Sequence, residues 1–255
     1  MISYKKDFEG PMARYWEQYL LDEDRDIETQ FIQKFLKKGL VLDVGCGPGK
    51  QSAYFSKNQE VIGLDLSPDL LTIAKKECKK NGKYENVNLI RGDMRYFPFK
   101  PGVFDNVVHI LAFGYFSDAE NESVFTEIVR VLKKGGIYIY QNYHHPKSLR
   151  PLEWKTIRPK TPKGFSKTQT IKYDPETKML HVKETIENKH SGNKIDRDYE
   201  RRLYSLDELE ELHEKNGLEI NTVFGPILMK EFGELAIGEF DEKKEGNITV
   251  VSEKI

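Results

Sequence analysis

The sequence predicts an α/β protein, doubly wound, with a mostly parallel seven-stranded sheet and a small antiparallel sheet inserted late in the chain. Three observations predict it. From residue 41 to 143, short β-branched or aromatic runs alternate with longer helical patterns, the rhythm of a parallel sheet covered by helices on both faces. After Tyr143 that rhythm breaks into three strand-like stretches separated by turn signals. It then resumes with one capped helical run and two strand-like runs.

Taken in order, MARYWEQYLLDEDRD is aromatic and amphipathic, suited either to a lid or to a plain packed helix. IETQFIQKFLKKG places Ile27, Phe31, Ile32 and Phe35 at helical spacing and stops at Gly39, so a helix leads into the first strand. The strand-like runs are VLDV, EVIGLDL, VNLIRGD, FDNVVHIL and GGIYIYQNY. Between them, SPDLLTIAKKECKKNG has Ser67 as cap and Pro68 in the first turn and ends at Gly82, and DAENESVFTEIVRVLKKGG is expected to be capped by Asp118 and closed by its glycines.

Residues 144 to 170 are rich in Pro, Lys, Arg and Thr. TQTIKYD, KMLHVKETIENK and IDRDYERRLYS follow, with DPETK and HSGNK as turns, and read as an antiparallel insertion. SLDELEELHEKNG is a capped helix, and LEINTVFG and NITVVSEKI are the last two strands. The expected division is a core of residues 1–143 and 199–255, with an inserted β subdomain at 144–198.

The chain of 255 residues carries 40 Lys and Arg against 41 Asp and Glu, which argues against a surface built throughout for a polyanion. The N-terminus lacks the apolar segment of a secretion signal, and no run of eighteen apolar residues occurs. A cytoplasmic protein without membrane contact is expected. Cys46 and Cys78 are too few for a disulfide framework or a zinc site, and no metal is expected.

The functional signal lies in VLDVGCGPGK. A strand running into Gly45-Cys46-Gly47 before a helix lets backbone N–H groups approach a ligand without side chains in the way. Asp65 ends the next strand, 20 residues past Gly45, where a carboxylate can accept both hydroxyls of a ribose. Asp93, in RGDM, reaches the same rim from the third strand. Lys50 stands where a dinucleotide fingerprint wants a small residue, so a nucleoside without pyrophosphate is favoured.

Together VLDVGCGPG, GLDLSPDLLTIAK, GDMRYFPF, FDNVV and EIVRVLKKGGIYIY resemble the class I S-adenosylmethionine-dependent methyltransferases, over roughly residues 25 to 143 and 199 to 254. The resemblance implies a Rossmann-like methyltransferase fold and S-adenosyl-L-methionine as cofactor. It implies that Gly45, Cys46 and Gly47 line the methionine side and that Asp65 binds the ribose hydroxyls, with Leu66 beside the adenine. It further implies that Asp93 faces the adenine amino group, that the Met94 N–H meets a ring nitrogen, and that Asp43 fills a common acidic position near the loop. AFGYF at 112–116, the aromatic N-terminus and the strand-rich insertion look like a subgroup in which an antiparallel lid covers the site. There Tyr15 and Arg25 are the candidates near the cofactor's carboxylate or sulfonium.

A methyl on a sulfonium is already activated, so transfer needs mainly alignment at about 3 to 3.5 Å and exclusion of water. No catalytic residue is therefore assigned. A base helps only if the acceptor must lose a proton, and His109, Tyr115, His144 and His145 are the candidates, each also readable as a packed side chain. The expected activity is methyl transfer to an O, N or C atom of a small molecule. An RNA methyltransferase is the first alternative, motivated by eight basic residues against Glu153 alone between 147 and 172. A non-catalytic relative and a nicotinamide oxidoreductase are the others.

Overall fold

The computed structural model describes residues 7–21, 26–143, 152–158, 164–225, 227–229, 235–237, 240–241 and 247–255. Helices α1 (Pro11–Leu20) and α2 (Asp26–Gln33) precede strand β1 (Leu40–Val44). There follow α3 (Lys50–Phe55), β2 (Glu60–Asp65), α4 (Pro68–Asn81), β3 (Val87–Arg91), β4 (Phe104–Ile110), α5 (Asp118–Val131) and β5 (Leu132–Tyr143). The insertion supplies β6 (Leu152–Arg158), β7 (Phe165–Asp174), β8 (Met179–Asn188) and β9 (Lys194–Arg202). Helix α6 (Leu206–Lys215), β10 (Leu218–Phe224), a hairpin of β11 (Ile227–Met229) and β12 (Leu235–Ile237), and β13 (Asn247–Lys254) complete the chain.

Seven strands form one sheet in the order β10-β13-β5-β4-β1-β2-β3. The five strands from β1 to β5 pair in parallel, while β13 runs antiparallel to both β5 and β10. From β1 the chain winds outward through β2 and β3, then returns to β4 on the other side of β1. The carboxyl ends of β1 and β4 therefore flank a topological switch point, where open α/β sheets bind ligands.

Strand alternation fills two cores. Leu42, Val107 and Tyr138 pack on one face with Phe125 and Ile128 of α5 and Leu209 of α6. Val41, Val108 and Ile139 pack on the other with Ile32 of α2 and Phe55 of α3. Each such side chain contributes about 1.5 to 3 kcal/mol by leaving water. Ser67 caps α4 as its sequence predicts, its Oγ accepting the Leu70 N–H at 3.2 Å.

Four local expectations are corrected. Helix α5 is capped by Ser117, not Asp118, because Ser117 and Glu120 form a reciprocal capping box that satisfies two backbone donors at once. The same helix ends at Val131 rather than at the glycines, and since Phe104 pairs with Leu132 and Asn106 with Ile137, residues 133–136 bulge out of β5. Helix α2 ends at Gln33, and its predicted continuation tightens into turns in which Lys34, Phe35 and Leu36 donate to carbonyls three residues back. The insertion holds four strands in the order β6-β7-β8-β9, not three, since β6 pairs with β7 from within the Pro- and Lys-rich segment. No helix among the described residues is long and apolar enough to cross a membrane.

Candidate active site

The loop after β1 turns sharply through Gly45 (φ 66°) and Gly47 (φ 53°), conformations that side chains resist. At Gly45 a Cβ would stand 2.7 Å from the Ala112 methyl, so glycine lets the loops after β1 and β4 touch. At Gly47 it would find nothing nearer than the Leu20 side chain at 3.9 Å. The bare backbone there faces open space.

Asp65, at the carboxyl end of β2, holds this loop in place. Its Oδ2 accepts the Gly47 N–H and its Oδ1 the Ser67 N–H, both at 2.8 Å. Burial raises its pKa against the lowering pull of the Ser67 and Gly47 N–H groups. A carboxylate has about four lone-pair directions, so two remain for hydroxyl donors. Asp43, one strand inward, is committed differently: its Oδ2 accepts the Ser52 hydroxyl at 2.6 Å, and burial pushes its pKa up to about 6. Cys46 is a free, buried thiol, kept protonated first by burial and then by the charges of Asp65 and Asp43.

Asp93 reaches the rim from the end of β3, where it grips Arg95: Oδ1 accepts the Arg95 backbone N–H and Nε at 3.0 Å, and Oδ2 accepts Nη2 at 2.7 Å. Those bonds set its pKa below the ordinary carboxylate value. Arg95 also reaches Glu120 and lies 4.7 Å from the Phe116 ring.

A cavity of about 500 Å³ opens over this rim. The glycine loop, Asp65, Leu66, Asp93 and Met94 line one side of it. Helix α1 walls it with Tyr15, Trp16 and Tyr19, whose first and last rings stack at 5.8 Å. The remaining side is the inner face of the inserted sheet, with Lys167, Gln169, Tyr199 and Arg201. Helix α1 is thus wedged between core and insertion, packing Met12 and Tyr15 on Phe165 and Ile186, and Ala13 on Leu70 and Ile73.

Of the residues singled out in the sequence, Tyr15, Gly45, Cys46, Gly47, Asp65, Leu66, Asp93, Met94 and Tyr115 meet at this cavity. His109 does not line it. It is buried inside β4, paired between Val44 and Tyr140, and burial pushes its pKa down to about 4, so it is a neutral packed ring against Phe113. Arg25, His144 and His145 lie outside the described residues. So do the side chains of most of the basic stretch; of its described members, Lys167 pairs with Glu184 at 2.5 Å.

The sequence reading missed Arg201, Gln169, Lys167 and Tyr199. The alternation was present, since 165, 167, 169 and 171 in β7 and 197, 199 and 201 in β9 each share one face. Charged residues on that face made it look solvated. Its ions are in fact buried: Glu184 accepts Arg197 Nη1 at 2.6 Å, and Arg197 Nε reaches Asp7 at 3.1 Å.

The residues present fit a nucleoside donor: an open cradle at Gly47, an acid with two unspent acceptor positions, and an apolar shelf at Leu66 and Met94. Comparison with known proteins agrees. Residues 41–136 match a family described as "Methyltransferase domain". The chain is 29% identical over 202 residues to an uncharacterised protein of Methanocaldococcus jannaschii, covering 79% of this chain and 70% of that one. It is 33% identical over 137 residues to the demethylmenaquinone methyltransferase of Lactococcus lactis, covering 50% of this chain and only 53% of that enzyme. An S-adenosylmethionine-dependent methyltransferase from Clostridium acetobutylicum shares the fold over 95% of this chain and 97% of its own, with a TM-score of 0.73 at 16% identity. Residues 41–136 match the methyltransferase-domain family, and the chain has the fold of a class I S-adenosylmethionine-dependent methyltransferase with an antiparallel sheet inserted between its fifth core strand and helix α6.

Proposed function

We propose that the chain transfers a methyl group from S-adenosylmethionine to a small-molecule acceptor held between the sheet rim and the inserted sheet, β6 to β9, which acts as a lid. One observation carries this reading: a single cavity runs from the glycine loop and Asp65 to the inner face of the inserted sheet. The name of the Lactococcus relative, whose acceptor is a demethylmenaquinone, supports a small-molecule acceptor.

When bound, the cofactor supplies an already activated methyl on a sulfonium. The residues of the chain then have three tasks. Asp65 receives the ribose hydroxyls at its unspent lone pairs, while Gly45 and Gly47 admit the methionine chain and Leu66, Asp93 and Met94 bound the base. Tyr15 and its aromatic neighbours present π faces, which attract a positive centre. The walls from α1 and the inserted sheet exclude water and hold the acceptor in line, where the rate gain of such a transfer lies.

Among the described residues the cavity wall carries no histidine, and its proton-bearing side chains include Tyr15, Tyr115, Tyr143 and Tyr199. Burial raises the Tyr199 pKa, so at neutral pH its hydroxyl donates a hydrogen bond rather than taking a proton.

Isothermal calorimetry with S-adenosylmethionine tests the reading, with micromolar affinity expected. Asp65→Ala removes two hydrogen bonds to a charged acceptor and should weaken binding about 100-fold, with circular dichroism checking that it folds. Labelled methyl offered to a metabolite extract and to tRNA then separates the acceptors. No cofactor binding would sink the proposal, and label entering only the RNA would replace its small-molecule acceptor.

A further inference from the structure

Cations of the inserted sheet that are withdrawn from water, on either face, are nearly all matched by acids. Lys167 and Arg197 share Glu184, and Arg197 also reaches Asp7. Arg202 reaches Glu208 at 2.6 Å and Asp118 at 3.2 Å. Arg201 is different. It is 7% exposed and lines the cavity, yet no carboxylate among the described residues pairs with it.

Neutral oxygens hold its guanidinium instead. Nε donates to the Phe113 carbonyl at 3.3 Å, and Nη2 donates to the Leu111 carbonyl at 2.9 Å and to the Asn142 side-chain oxygen. The rings of Tyr115 and Tyr143 lie 4.7 and 5.3 Å from its central carbon, fixing the plane. Nη1 donates to none of the described residues. Farther along the same face, two strands across in the Glu184–Arg197 row, Gln169 is 4% exposed, and its Nε2 also lacks a partner among the described residues. A desolvated cation calls for a counter-charge, and a planar guanidinium edge matches a carboxylate.

We propose that the methyl acceptor is a small molecule bearing a carboxylate, which supplies the counter-ion Arg201 lacks by docking on Nη1, while the Gln169 amide donates to another part of the acceptor farther along the same face. This rests on the methyl-transfer reading above for where the donor half of the cavity lies. It assigns Arg201 and Gln169 to acceptor binding.

The test uses the full chain saturated with S-adenosylhomocysteine and measures, by ligand-observed NMR and calorimetry, small carboxylates against their neutral amides: benzoate and benzamide, phenylacetate and phenylacetamide, hexanoate and hexanamide. At least one carboxylate should bind tenfold or more tightly than its amide. Arg201→Gln should erase that preference, and Gln169→Leu should weaken acceptor binding severalfold while leaving S-adenosylhomocysteine affinity unchanged. Should Arg201→Gln fail to fold, Gln169→Leu and the wild-type preference decide alone. The inference is overturned if amides bind as well as carboxylates, if no carboxylate binds at millimolar concentration, or if Gln169→Leu or a folded Arg201→Gln loses S-adenosylhomocysteine affinity tenfold, which would assign these donors to the cofactor's own carboxylate. Failure of the wild-type chain to bind S-adenosylhomocysteine is the separate outcome that strikes the methyl-transfer reading.

Discussion

At the sheet rim, buried carboxylates lean on neutral donors: Asp65 on the N–H groups of Gly47 and Ser67, Asp43 on the Ser52 hydroxyl. Around the inserted sheet carboxylates lean on cations, the buried Glu184 on Lys167 and Arg197 and the partly exposed Glu208 on Lys178 and Arg202. The proton affinities diverge accordingly. Burial carries Asp43 up to about 6, whereas at Glu208 burial is outweighed by Arg202 and Lys178 and the carboxyl falls to about 2. Charge at the rim keeps capacity for a ligand, and apart from Arg201 charge in the insertion is committed to holding strands together.

Removing a cation from the insertion should hurt most. Arg197→Leu leaves Glu184 buried with Lys167 alone, and urea denaturation should show a loss of about 3 to 5 kcal/mol. A variant within about 1 kcal/mol of wild type would show that the insertion does not depend on its ion pairs.

The rim should respond to pH in the opposite sense. Because the folded-state pKa of Asp43 is raised from 3.8 to about 6, its contribution is fully present below pH 3.8 and is lost as pH rises through 6. That is a fall of about 2 to 3 kcal/mol over the interval. Asp43→Asn should remove this fall from stability measured between pH 4 and 6.5; an unchanged slope would place the titration elsewhere.

The smallest expected effect is at Glu208. Its folded-state pKa is depressed, so its contribution is present above pH 4.5 and is lost as pH falls through 2. Screening by water at this half-exposed site reduces it to about 1 kcal/mol. Glu208→Gln should show a correspondingly shallower acid limb in thermal melts, and an acid limb identical to wild type would dismiss the ion pair as a stabilising contact.

The same contrast explains what could be read from the sequence. The rim was legible because its signals are local: glycines two apart after a strand, an acid 20 residues on, Ser67 before Pro68. Even the misplaced cap of α5 was written there, as Ser117 and Glu120 at capping-box spacing, and only Asp118 distracted from it. The inner face of the insertion was not legible, because its meaning depends on which strands lie side by side. Arg201 and Arg202 are neighbours in sequence and equally buried, yet one faces the cavity and the other Glu208. Strand β6 was hidden by prolines and lysines that argued against pairing.

One seam in the fold ties the inserted sheet to the core. The Arg202 N–H donates to the Gly114 carbonyl at 2.7 Å, and a Cβ at Gly114, where φ is 89°, would stand 2.4 Å from the Arg202 carbonyl oxygen. Strand β9 is thereby stitched to the loop after β4 and runs on through Tyr204 to the Ser205 cap of α6. The four-stranded sheet is thus held to the core along one edge: β9 and the arginine seated on the Leu111 and Phe113 carbonyls share a frame with the sheet rim, whereas β6 lies at the opposite edge.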